Sequence, residues 1–84
     1  MIRKTYSTSV SCVNPKTYFE KFWAHCWYNV AGLTHMDNKY VIVDTVRKEL
    51  EKENIQLINY YNISKVDVIY PTEEDYTWFK LKWS

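Results

Sequence analysis

Four Trp, eight Tyr and three Phe are packed into a chain of 84 residues that contains a single glycine. This aromatic load constrains the fold more than any other feature. A domain of this size buries only about 60% of the surface its unfolded chain exposes. Large rings, each able to hide roughly 150–250 Å², let such a chain build a core without the disulfides or metal that many mini-proteins need. One Gly and two Pro leave little room for flexible linkers, and neither an internal repeat nor a low-complexity tract is present. The chain therefore reads as a single domain spanning 1–84.

Backbone periodicity divides that domain. From Ile2 to Val13 the residues alternate, with Ile2, Lys4, Tyr6, Thr8, Val10 and Cys12 on one side and Arg3, Thr5, Ser7, Ser9 and Ser11 on the other. Period two with β-branched and aromatic residues predicts a half-buried strand. Asn14-Pro15 supplies a cap and a first-turn proline for a helix running to about Ala31. Gly32 follows, placed for the left-handed residue that ends many helices. The stripe of that helix is Phe19, Phe22, Trp23, Cys26 and Val30, flanked by Tyr18 and Trp27, with Lys21, His25 and Tyr28 turned away.

After a loop through Thr34 and His35, Asp37 is placed to cap a second helix with the stripe Val43, Val46 and Leu50, continuing through Leu57 and Tyr61 in its longest form. The β-branched run Tyr40 to Val43 leaves a short strand open as the alternative, with Asp44 then capping a shorter helix. Glu49, Glu51 and Glu53 among Arg47, Lys48 and Lys52 predict a solvated outer face. Residues Ile63 to Tyr70 and Tyr76 to Trp83 read as two strands around the polar loop Pro71 to Asp75. The expected architecture is α+β: a small antiparallel three-stranded sheet with two helices packed on one face, in the order β-α-α-β-β.

Composition narrows the function classes. A formal charge of +1 argues against both a basic nucleic-acid coat and an acidic mimic of DNA. Two cysteines are too few for a secreted disulfide framework, and no positive-then-apolar leader opens the sequence. A cytoplasmic, reducing setting is expected, with no membrane partner, since no apolar run approaches transmembrane length.

Catalytic and metal chemistry find little support. Cys12, Cys26, His25 and His35 lack the close ligand pairs of structural zinc, so no metal and no cofactor are expected. A Cys26–His35–Asp37 set would place its nucleophile within an aromatic stripe, where an apolar setting raises a thiol's pKa and lowers its reactivity. Neither a Gly-rich phosphate loop nor a paired-carboxylate motif occurs. No catalytic residue is predicted, and the chain is expected not to be an enzyme.

Two surfaces are candidate contact sites. If 76–83 is a strand, the sheet face turned from the helices carries Arg3, Lys65, Tyr76, Trp78, Lys80 and Lys82. Cations mixed with stackable rings suit single-stranded nucleic acid and also a protein hot spot. The plainer reading is the wet face of a one-sided sheet, against which an exposed Trp78 stands out. The second surface is the flank of the first helix, Tyr18, Lys21, His25, Trp27 and Tyr28. There an aromatic surplus would mark a contact, including a homodimer contact, unless the second helix covers it.

In size and element order the chain resembles the RelE-type messenger-RNA endonucleases of toxin–antitoxin systems. Its final segment, Thr77 to Trp83, carries Lys80 and Lys82 but lacks their arginines and closing Tyr or His. In manner it is similar to the small accessory proteins of large T-even-like lytic phages: very short, with one Gly, rich in Tyr, Asn, Lys and Ile. That resemblance is one of style, carries no residue positions, and implies host takeover or counter-defence in the host cytoplasm.

The leading expectation is thus a non-enzymatic binding protein that inhibits or modulates a host protein such as a defence factor or toxin. The alternatives are an RNA or single-stranded nucleic-acid binder and a small RelE-like ribonuclease using Lys80 or Lys82. Salt separates the first two, because phosphate contacts weaken steeply with ionic strength and apolar contacts do not.

Overall fold

In the computed structural model, residues 1–7, 15–33, 42–61 and 65–84 are described, with only the backbone of 59–61. Strand β1 (Ile2–Ser7) is followed by helix α1 (Tyr18–His25), which runs into a π-helical turn, Cys26–Val30. Helix α2 (Ile42–Glu51), strands β2 (Gln56–Tyr61) and β3 (Lys65–Tyr70), and helix α3 (Glu73–Trp83) complete the order. The sheet is three-stranded and antiparallel in the order β1-β3-β2. The expected α+β class and one-sided sheet hold, with a third helix added.

Alternation along β1 does what period two requires, since Ile2, Lys4 and Tyr6 are the less exposed residues and Arg3, Thr5 and Ser7 the more exposed. Across the ladder, Lys4 faces Val68 and Tyr6 faces Val66, so this side of β1 continues the buried side of β3. Leu57 of β2 meets Val68 as well, before a register shift between Leu57 and Asn59. Residues 8–13, read as the rest of the first strand, lie outside the described residues.

Helix α1 starts later than the Asn14-Pro15 signal implied. Thr17 is its cap, accepting from the Glu20 backbone N–H at 3.2 Å, while Glu20 accepts from the Lys16 N–H at 3.1 Å. Thr17-x-x-Glu20 has capping-box spacing, with the Glu20 carboxylate taking the N–H one residue before the cap, and these two bonds set the start. Phe19, Phe22, Trp23, Cys26 and Trp27 are buried as their helical spacing predicts. Val30 is not: it is exposed, because the wider π turn, closed by Ala31 N–H donating to the Cys26 carbonyl, advances each residue by less than an α-helical step and rotates Val30 off the stripe. Gly32 has φ +66°, the left-handed conformation expected of it.

Val43, Val46 and Leu50 form the buried stripe of α2, joined by Ile42. Residues 42 and 43 are thus helical, while His35, Asp37 and 40–41 lie outside the described residues. The helix does not continue through Leu57 and Tyr61. Asn54 takes φ +61°, its N–H donates to the Glu51 carbonyl, and the Ile55 N–H donates to that of Leu50. This is a Schellman ending with Asn in the glycine's place, and it brings buried Ile55 after buried Leu50. Chain reversal then delivers β2 to β3.

The largest correction is at the C-terminal end, where 71–75 were expected as a hairpin loop and Tyr76–Trp83 as a strand, and Glu73–Trp83 is found as α3. Thr72 caps it, its hydroxyl oxygen accepting from the Asp75 N–H at 3.2 Å. Glu73, Glu74 and Asp75 fill the first turn and Lys80 and Lys82 the last, the charge order that complements a helix dipole. The face that packs inward carries Tyr76, Phe79 and Trp83 at 3-and-4 spacing. Leu81, part of the expected alternating face, is 64% exposed.

The core lies between the helices and one side of the sheet. Phe79 is its aromatic hub, with the rings of Tyr18, Phe19, Phe22 and Tyr70 at 6.1, 6.3, 5.1 and 5.6 Å. On the opposite side of the sheet sits a buried charge, Asp67, only 1% exposed. It accepts from Arg3 Nη2 and Thr5 Oγ1, each at 2.6 Å, and this pairing offsets the cost of burying a carboxylate.

Candidate functional site

Helix formation at 73–83 disperses the six residues expected to share the outer sheet face. Arg3 and Lys65 do lie on that face, Arg3 engaged by Asp67 and Lys65 exposed opposite Ser7. The other four leave α3 in different directions. Lys82 Nζ pairs with Glu53 Oε1 at 2.9 Å, and Trp78 stands in solvent at 63% exposure. Tyr76 and Lys80 turn towards β1 and α1. No single surface of cations and rings is formed.

Instead, three distinct surfaces arise. The first is the solvent side of α3, where Trp78 and Leu81 lie one turn apart. Glu73, Glu74 and Thr77 join them around an open hollow of about 370 Å³. The inward face of the same helix supplies its packing, so this ridge is free of any structural task visible among the described residues.

The second is a groove of about 390 Å³ between α1 and the end of α3, lined by Lys21, His25 and Tyr28 together with Trp83 and Lys82. Three residues expected on the flank of the first helix therefore share a surface. The other two do not: Trp27 is buried in the core, and Tyr18 faces the phenol cluster described below. The His25 and Trp83 rings are 5.0 Å apart, and the indole N–H of Trp83 is buried with no hydrogen-bond partner among the described residues.

The third surface was not foreseen. Four phenol hydroxyls form a line that starts in the core and ends at the surface. Tyr70 OH lies 2.7 Å from Tyr6 OH, which lies 2.9 Å from Tyr18 OH, which lies 3.5 Å from Tyr76 OH. Strands β3 and β1 supply the first two, and α1 and α3 the others. Tyr6 is further fixed by stacking on Phe19, with ring centres 4.0 Å apart. At the outer end, Lys4 Nζ and Lys80 Nζ stand 5.1 and 4.1 Å from the centre of the Tyr76 ring.

Titration behaviour follows from this placement. Burial, first of all, raises the pKa values of Tyr6, Tyr18 and Tyr70. Tyr76 moves the other way, because the Tyr18 hydroxyl donates to its oxygen and the two ammoniums favour its anion. The inner phenols stay neutral while the outermost one ionises more readily than an ordinary tyrosine. Cys26, fully buried, has its thiol pushed up to about 12, burial being the main cause. A thiol so placed is a poor nucleophile.

Among the described residues no group of three His, Cys, Asp or Glu side chains could hold a metal ion, and no helix is long and apolar enough to cross a membrane. Sequence spacing could have found α3 through Thr72-x-x-Asp75 and its charge order. No local signal could have found the phenol line, in which the bonded pair Tyr6 and Tyr70 lie 64 positions apart. No family model matches this chain, and no curated protein and no solved structure matches it either.

Proposed function

We propose that this is a non-enzymatic binding protein that engages another protein through the solvent side of α3, with Trp78 and Leu81 as its anchors. The observation that supports this reading is the exposure of both side chains above 60% on one face of a helix. Solvent-exposed tryptophan is costly to solubility without a contact to justify it, and Trp is enriched among residues that dominate interface energies. Glu73 and Glu74 border the apolar pair, so the complementary surface is an apolar recess with basic neighbours. Following the resemblance in style to phage accessory proteins, the partner in this proposal is a host protein such as a defence factor or toxin, met in the host cytoplasm.

Nucleic-acid and ribonuclease readings draw less support, because Arg3 and Lys82 are engaged by carboxylates and Trp78 is remote from a shared cationic face. The test is affinity capture from host lysate, with and without nuclease, using the wild type and a Trp78→Ala, Leu81→Ala variant. One dominant protein that survives nuclease and is lost with the variant is the expected result. Retention of that protein by the folded variant would refute the α3 reading. Sedimentation of both proteins identifies the case in which the surface binds a second copy of the chain.

A further inference from the structure

We infer that the outer end of the phenol line, Lys4, Tyr76 and Lys80 with the hydroxyl of Tyr18, is a binding site for a phosphoryl oxyanion, as free phosphate or as a small phosphate monoester. This site is separate from the ridge of Trp78 and Leu81 and does not rest on it.

The first observation is uncompensated positive charge. Arg3, Arg47, Lys52 and Lys82 each have a carboxylate within 4.0 Å. Among the described residues Lys4 and Lys80 have none, yet both ammoniums lie within about 5 Å of one ring. They arrive from different elements, β1 and α3, so the fold and not local sequence brings them together. With both ammoniums within about 5 Å of the Tyr76 ring, an anion bound beside that ring is attracted by both.

The second observation is the Tyr18 hydroxyl behind them, 3.5 Å from that of Tyr76. A hydroxyl that donates to a second one polarises it. When Tyr18 donates to Tyr76, the Tyr76 O–H is left free to donate outward. Its oxygen is then acidified by the donation it receives. A phosphoryl group reaching this end meets two ammoniums and a strengthened O–H donor, the combination that charge-assisted recognition of phosphate uses. Lys4, Tyr18, Tyr76 and Lys80 are all partly exposed, which suits a small ligand arriving from solvent.

Competition between ligand and phenolate gives a specific readout. Tyr76 is faced by Lys4 from β1, Tyr18 from α1, Tyr70 from β3 at 5.0 Å between rings, and Lys80 from its own helix. A bound dianion disfavours the Tyr76 phenolate and moves its titration upward, on the order of half a unit to one unit. The experiment is a phenolate absorbance titration of the full chain in chloride and in inorganic phosphate at matched ionic strength, with Tyr76→Phe identifying the Tyr76 transition. A parallel series uses phenyl phosphate.

The expected result is that phosphate raises the earliest tyrosine transition, that Tyr76→Phe lacks this transition, and that a folded Lys4→Gln, Lys80→Gln variant shows no response. A lower half-saturating concentration for phenyl phosphate assigns the site to monoesters, and a lower one for inorganic phosphate assigns it to the free ion. An upward movement no larger than that in chloride, or one that persists undiminished in the double variant, overturns the proposal.

Discussion

Raising the pH past 10 removes protons that the fold holds in place, and the size of the effect can be worked from the phenol line. Tyr6, Tyr18 and Tyr70 have pKa values raised in the fold, burial leading in each case. In the unfolded chain they ionise near 10. Above that value the unfolded state binds fewer protons than the folded one, so each phenol lowers stability by about 1.4 kcal/mol per pH unit, and three by about 4. Tyr6 and Tyr18 are partly exposed, so solvent screening trims their share.

Cys26 begins the loss earlier, since an unfolded thiol ionises near 8.5 while the buried one waits until about 12. Tyr76 has the opposite sign. Its lowered pKa adds stability as pH approaches 10 and adds nothing further beyond it. A domain of this length has a total stability of about 4–13 kcal/mol. Alkaline unfolding is therefore expected within roughly one to three units above pH 10. Urea denaturation followed by Trp fluorescence at a series of pH values measures the slope, and phenolate absorbance counts the protons. Tyr70→Phe removes one of the titrating groups and should flatten the slope by about 1.4 kcal/mol per unit. Tyrosines that all ionise together near 10 in the folded protein, with a urea midpoint that does not move, would refute the reasoning.

Two further outcomes follow from the core. Phe79→Ala removes the ring at the junction of four others and should cost about 3–5 kcal/mol, read as a lowered urea midpoint at neutral pH; a loss under about 1 kcal/mol would mean that the cavity collapses. The Cys26 thiol should resist a thiol-specific disulfide reagent at about pH 8 until urea unfolds the protein, so prompt labelling of the native state would contradict its burial.

Local sequence settled those elements in which one periodicity dominates. Ile2, Lys4 and Tyr6 alternate against polar neighbours and form β1; Phe19, Phe22, Trp23 and Cys26 lie on one helical stripe; Val43, Val46 and Leu50 lie on another; Gly32 takes a conformation that other residues adopt at a cost. Val66, Val68 and Tyr70 are all buried on β3 as their alternation implies. In each case a residue's immediate neighbours carry the whole signal, because the pattern of burial repeats within a few positions.

Tertiary structure decided the segments that satisfy two periods at once. Tyr76 to Trp83 offers Phe79, Leu81 and Trp83 to a strand and Tyr76, Phe79 and Trp83 to a helix. The inward-packing aromatic face, with Thr72 capping the first turn, selects the helix and leaves Leu81 in solvent. Leu57 would extend the stripe of α2, but the left-handed Asn54 ends that helix, and β3 offers a strand edge that pairs with β2. The candidate sites depend wholly on such choices. Lys4, Tyr6, Tyr18, Tyr70, Tyr76 and Lys80 come from four elements and meet only when β1 pairs with β3 and α3 folds back against α1. Sequence periodicity reports which side of an element is buried, whereas a site is made by which buried sides meet, and that is fixed by long-range pairing and packing.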